Sequence, residues 1–185
     1  MTSPKAAVFA SGTGSNFQAM MEAEDLACEI VLLVCDKQDA TVIGKAVKNK
    51  IPTFIFNPKA YQSKAAYEKQ IVEKLQELGV TWVFLAGYMR IVGPTLLHVF
   101  EKKIVNIHPS LLPAFPGKDA IDQAFQSKAK TTGVTVHFID EGIDTGPIIA
   151  QESVTILPGD TEEILKQRIQ KVEHEIYPKV INQLL

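Results

Sequence analysis

The chain has 185 residues, 46% of them apolar and 22% charged, and its 19 Lys+Arg against 21 Asp+Glu leave a formal charge of −2. That composition excludes intrinsic disorder as the main state, a chain of this length buries roughly 70% of its unfolded surface and needs no disulfide staples, and the lack of a basic excess argues against nucleic acid or an anionic membrane as partner. No stretch approaches the ~18 consecutive apolar residues of a membrane span, and the N-terminus lacks the long apolar region of a secretion signal, so a cytoplasmic setting is the default.

In chain order, residues 6–10 form a short apolar strand that ends in the turn Ser11-Gly12-Thr13-Gly14-Ser15-Asn16. A helix over 17–23 follows, and in the plainest reading Asn16 caps it. Residues 29–35 (EIVLLVC) are continuously apolar, as in a strand buried on both faces. Cys28 and Cys35 are seven apart, which on such a strand puts them on opposite faces, and they read as two reduced core thiols. Next come a helix over 41–49, a strand over 51–56 closed by Asn57-Pro58, and a helix over 64–78 with Ile71, Leu75 and Leu78 on one face. Residues 80–86 and 104–108 read as further strands, with Gly93-Pro94 opening a short helix between them. This rhythm implies a parallel sheet with helices on both faces. It then changes: 135–139 and 148–156 are strand-like and too closely spaced for a crossover, so they pair antiparallel. A long final helix has Asp160 as its N-cap, Glu163 three residues on, and a stripe of Leu165, Ile169, Val172, Ile176 and Val180. The expected fold is α/β: one doubly wound, mostly parallel sheet flanked by helices, with a late antiparallel hairpin. It forms a single domain over 1–185, with an N-terminal phosphate-binding half (1–100) and a catalytic and folate-binding half (101–185).

Ligands of such sheets sit at the carboxyl ends of the strands. The loop 11–16 offers backbone N–H groups ahead of a helix, a setting that favours phosphate or carboxylate. Phe17 breaks the dinucleotide glycine pattern, and no Gly-Lys-Ser/Thr follows, so the loop is neither of those nucleotide motifs. Asn106 and His108 share one face of a strand end, and Pro109 restricts the backbone of His108 to an extended form. In 140–147, Asp140, Glu141 and Asp144 put three carboxylates in five residues, more than a turn requires. A carboxylate set beside His108 favours its imidazolium form. There is no Gly-x-Ser-x-Gly elbow and no Cys beside a candidate His, so the protein offers no obvious nucleophile of its own. An Asn amide and a protonated His are both donors, suited to an oxyanion formed when one bound ligand attacks the acyl carbon of another. Neither H-E-x-x-H nor C-x-x-C occurs, so metal chemistry is a poor rival. His98, His137 and His174 read as structural or solvent-facing.

SGTGSN at 11–16, LAGYMRI at 85–91, NIHPSLLPAFPG at 106–117 and VHFIDEGIDTGPII at 136–149 carry a resemblance to the phosphoribosylglycinamide formyltransferase family, folate-dependent enzymes of purine synthesis. It is colinear over nearly the whole chain. NIHPSLLP alone marks the wider formyltransferase group. The glycine loop and a length without room for an additional tRNA-enzyme or hydrolase domain narrow it. The resemblance implies transfer of the formyl group of 10-formyltetrahydrofolate, a co-substrate, to the amine of phosphoribosylglycinamide. In that scheme His108 is the general acid and oxyanion partner, Asn106 donates to the oxyanion, and Asp144 holds His108. Gly14, Ser15 and Asn16 hold the substrate phosphate. Gln170 and Glu173 contact its ribose and glycinamide end, although the residues alone read as the solvated side of an amphipathic helix. Met89, Arg90, Ile91 and Val92, with Asp140, Glu141, Gly142, Ile143 and Asp144, match the pterin pocket, beside Asn106. Arg90 and Lys64 match positions facing the glutamate tail. Lys64 stands where many relatives have Arg, keeping the charge but losing the bidentate fork. Residues 118–121 have no assigned role. The expected partners are small molecules, with no metal, nucleic acid or membrane, and a homodimer is left open.

Overall fold

Residues 2–185 are described by a computed structural model. The strands are β1 (Lys5–Ala10), β2 (Glu29–Cys35), β3 (Thr53–Ile55), β4 (Trp82–Leu85), β5 (Ile104–His108), β6 (Thr131–Phe138) and β7 (Ile148–Thr155), in one sheet of order β3-β2-β1-β4-β5-β6-β7. Pairing is parallel from β3 to β5, and β6 and β7 join antiparallel. The helices are α1 (Ser15–Glu22), α2 (Thr41–Lys48), α3 (Lys64–Glu77), α4 (Pro94–Val99), α5 (Ala120–Gln126) and α6 (Glu162–Leu184). Among the described residues no helix is long and apolar enough to cross a membrane.

Alternate strand residues supply two cores, which is why the parallel strands read as unbroken apolar runs. Ala6, Val8 and Ala10 of β1 and Phe84 of β4 pack against α1, α2 and α6 through Phe17, Met20, Val42, Leu165, Ile169 and Tyr177. Ala7, Phe9, Val83 and Leu85 pack on the opposite side against α3 and α4 through Tyr67, Ile71, Leu75 and Leu96. Each fully buried Leu or Ile contributes roughly 1.5–3 kcal/mol relative to exposure.

Five local expectations change. Cys28 and Cys35 face the same core, not opposite ones. Ala6 pairs with Ile30 but Ala7 pairs with Leu32, so Val31 is an extra residue, and this bulge reverses the side-chain parity between the two cysteines. Both thiols are free, and burial pushes that of Cys28 up to about 12. Helix α1 starts at Ser15, and Gly14, left-handed at φ 76, occupies the cap position in place of Asn16. Strand β6 begins at Thr131, four residues before the expected 135. Helix α5 is absent from the sequence reading: it has no opening signal like the Gly93-Pro94 of the shorter α4, and Asp119 at its cap position is left-handed with no side-chain cap bond. Thr161 caps α6 by accepting from the Ile164 N–H at 3.1 Å. Asp160 instead accepts two hydrogen bonds from Arg168 at 2.6 and 3.0 Å.

Candidate active site

Strand order reverses between β1 and β4, so the loops leaving their carboxyl ends bound the crevice expected to bind ligand in such a sheet. The Ser11 N–H donates across it to the Gly87 carbonyl at 3.0 Å. Ser11 Oγ donates to Asp36 Oδ1 at 2.5 Å and accepts from the Met89 N–H at 2.9 Å. The second oxygen of Asp36 accepts from Arg90 Nε at 3.0 Å. The Asp36 side chain is fully buried, so this ion pair is sheltered from solvent on the acid side, while Arg90 is partly exposed. One acid after β2 thus ties the glycine loop to the stretch 89–92. Neither Ser11 nor Asp36 was singled out from the sequence; an acid ending an unbroken apolar strand was the available signal.

Gly14 packs its α-carbon against Val42 of α2, leaving no room for a β-carbon, and its left-handed φ suits glycine. The N–H groups opening α1 therefore stand beside bare backbone. Asn16 is buried at the base of this turn. Its side chain lies near Glu173 of α6, and its Oδ1 is buried without a partner. Glu173 is itself only 8% exposed, which overturns the solvated-face reading. Burial pushes its carboxyl up to about 7, and the nearby Asn16 amide opposes that shift. Gln170 lies half-buried one turn earlier on α6.

On β5, Val105 and Ile107 enter the core shared with α6, and Asn106 and His108 lie on the other face as the period-two spacing requires. The antiparallel partner β6 sets His137 opposite Asn106. His137 is fully buried, so of the structural and solvent-facing readings only the structural one stands, and the residue lies against Asn106. Its Nδ1 lies 2.9 Å from the Phe138 carbonyl, which can only accept, so Nδ1 carries the proton. Nε2 then accepts from Asn106 Nδ2 at 3.3 Å. Burial lowers the His137 pKa, consistent with this neutral form. One N–H of the Asn106 amide remains for a ligand. His137 was unreadable locally, because its pairing depends on the β5–β6 register.

His108 Nε2 donates to the Phe115 carbonyl at 2.9 Å, and Nδ1 faces Asp144 Oδ2 at 3.7 Å. A second proton on the ring would therefore meet a carboxylate. Asp144, left-handed at φ 54, also lies 3.9 Å from His137 Nε2 and accepts from the Gly117 N–H at 2.7 Å. Asp140 closes its own loop, accepting from the Gly142 N–H at 2.9 Å and Thr145 Oγ1 at 2.7 Å. Those two bonds, the Thr145 one first, lower its pKa. Glu141 is exposed. Asn106, His108 and Asp144 are thus brought together as expected, with His137 added.

Met89, Ile91 and Ile143 are exposed large apolar side chains at the two loops matched to the pterin pocket. Val92 differs: its side chain is 6% exposed in the α3–α4 core, so only its backbone can serve a ligand. Lys64 Nζ donates to the Ile91 carbonyl at 2.8 Å. Just behind, buried Glu68 accepts from the N–H groups of Gly93 at 2.8 Å and Leu96 at 3.3 Å and so holds the start of α4. His98 is exposed, and His174 is half-buried with burial lowering its pKa.

The Formyl transferase family model matches residues 4–181. The phosphoribosylglycinamide formyltransferase of Bacillus subtilis is 54% identical over 98% of this chain and 94% of its own. The trifunctional purine biosynthetic protein adenosine-3 of Drosophila melanogaster is 38% identical over 98% of this chain, which spans 14% of that longer protein. The crystal structure of glycinamide ribonucleotide transformylase 1 from Geobacillus kaustophilus superposes with a TM-score of 0.97 at 55% identity, covering 99% of each chain.

Proposed function

Because the chain belongs to the formyl transferase family and is a transferase, we propose that it formylates 5-phosphoribosylglycinamide, with 10-formyltetrahydrofolate as donor, in de novo purine synthesis. The amine nitrogen attacks the formyl carbon and the carbonyl electrons move onto oxygen, forming a tetrahedral oxyanion. Collapse breaks the bond to the folate nitrogen, which takes up a proton as the amine loses one. The products are formylglycinamide ribonucleotide and tetrahydrofolate.

One observation carries this reading: two donors, Asn106 and His108, share a strand face beside an acid, Asp144. The free N–H of Asn106 serves the oxyanion. His108 has its Nε2 proton on Phe115, so donation to the formyl oxygen requires the ring to exchange that carbonyl for the ligand. Asp144 balances the charge of the doubly protonated ring. Gly14, Ser15 and Asn16 receive the phosphate, and Glu173, near Asn16, faces the ribose and glycinamide end with Gln170. Met89, Ile91 and Ile143 cover the pterin, with backbone groups of 140–144 at its polar edge. Arg90, steered by Asp36, and Lys64 meet the glutamate tail. In this reading residues 1–100 hold the phosphate and residues 101–185 supply the chemistry and folate contacts, with 64 and 89–92 of the first half also serving the folate and Gln170 and Glu173 of the second the ribose end. Two buried free thiols suit a cytoplasmic location.

The test is formyl transfer, followed by the folate absorbance change with and without phosphoribosylglycinamide. Release that depends on the amine is expected; full-rate release with water alone would replace this reading with hydrolysis.

A further inference from the structure

His108, Thr135 and Gln151 stand in one transverse row, paired in register across β5–β6 and β6–β7. The row carries the proline-rich loop 109–117. Thr135 Oγ1, fully buried, donates to the Ser110 carbonyl at 2.7 Å and accepts from the Leu112 N–H at 3.1 Å. Gln151 Nε2 donates to that same Oγ1 and to the Leu112 carbonyl, both at 2.9 Å. The hydroxyl has then used its one proton and both lone pairs. Ser110 Oγ donates onward to the Ala114 carbonyl at 2.5 Å. Phe115 follows at φ 51, and its carbonyl is the acceptor that holds His108 Nε2.

We infer that Gln151 is a positioning residue for His108: by clamping Leu112 and Thr135 it sets the loop whose Phe115 carbonyl orients the imidazole. Thr135 alone grips the loop at Ser110 and at the Leu112 N–H. The Leu112 carbonyl is held from β7, by Gln151. Gln151 is exposed on the edge strand, so its amide is not needed to fill the core. The inference rests on the reading that His108 serves formyl transfer.

The experiment compares formyl-transfer kinetics of the full chain with Gln151→Ala, Gln151→Glu and His108→Ala. The Gln151→Glu variant keeps the size but, when ionised, cannot donate to the Leu112 carbonyl. We expect kcat to fall roughly tenfold in both Gln151 variants, the scale of one or two lost hydrogen bonds, with KM for each substrate within about twofold of wild type. As the pH falls and the introduced carboxylate gains a proton, kcat of the Gln151→Glu variant recovers relative to wild type. That recovery is not expected of a merely structural residue. Wild-type kcat in either variant, or KM values rising in step with the loss, would overturn the inference. Should the Gln151→Ala variant not fold, the Gln151→Glu variant carries the test. A fully active His108→Ala would instead sink the functional reading beneath it.

Discussion

The two ends of the sheet build their parts of the crevice by different means. Between β1 and β4, where all pairing is parallel, the strand side chains are consumed by the two cores and the glycine loop works through backbone. Gly14 exposes the N–H groups of α1, and Ser11 and Asp36 serve to hold loops. Between β5 and β7, antiparallel pairing sets side chains opposite one another, and the reactive groups come as cross-strand pairs: Asn106 with His137, His108 with Thr135. Loop backbone suits a phosphate, which needs several N–H groups and close approach. Side chains in register suit proton handling, which needs chosen nitrogens at fixed separations.

The largest expected effect tests the side-chain end. His108→Ala and Asn106→Ala should each lower kcat on the order of 10²–10³-fold while the unfolding transition stays close to wild type. Near-normal turnover in either would remove the basis of the contrast. Next is Glu173, a side chain inside the backbone-built region. Its folded pKa of about 7 lies above the ordinary value of 4.5, so the native state binds more protons between those values. Stability should be fully present below about pH 4.5 and decline as the pH rises through 7, by up to about 3 kcal/mol. Denaturant titrations should show this decline flattened in Glu173→Gln; an equal decline would place the titrating group elsewhere. Gly14→Ala should cost roughly 1–3 kcal/mol of stability and raise KM for the phosphorylated substrate more than for the folate, since the added β-carbon meets Val42. Equal shifts in both KM values would blur the division between the two ends. Smallest is Thr161→Ala, which removes the α6 cap for about 1 kcal/mol and should leave both KM values alone.

The sequence by itself determined the strand and helix alternation, the glycine loop, and the placement of Asn106 and His108 on one face. Each follows from spacing within a few residues. Four motifs then pointed to the family and, with it, to Asp144. Tertiary structure alone decided the rest. Val31 bulges and reverses the parity that separates Cys28 from Cys35. Glu173 sits under Asn16, although its position on α6 reads as solvent-facing. His137 and Gln151 enter through β6 and β7, whose register is set by which faces can be buried. Asp36 is buried because the loops after β1 and β4 close over it. Local periodicity records which way a side chain points along its own element, whereas these residues depend on what another element, distant in the chain, sets against it.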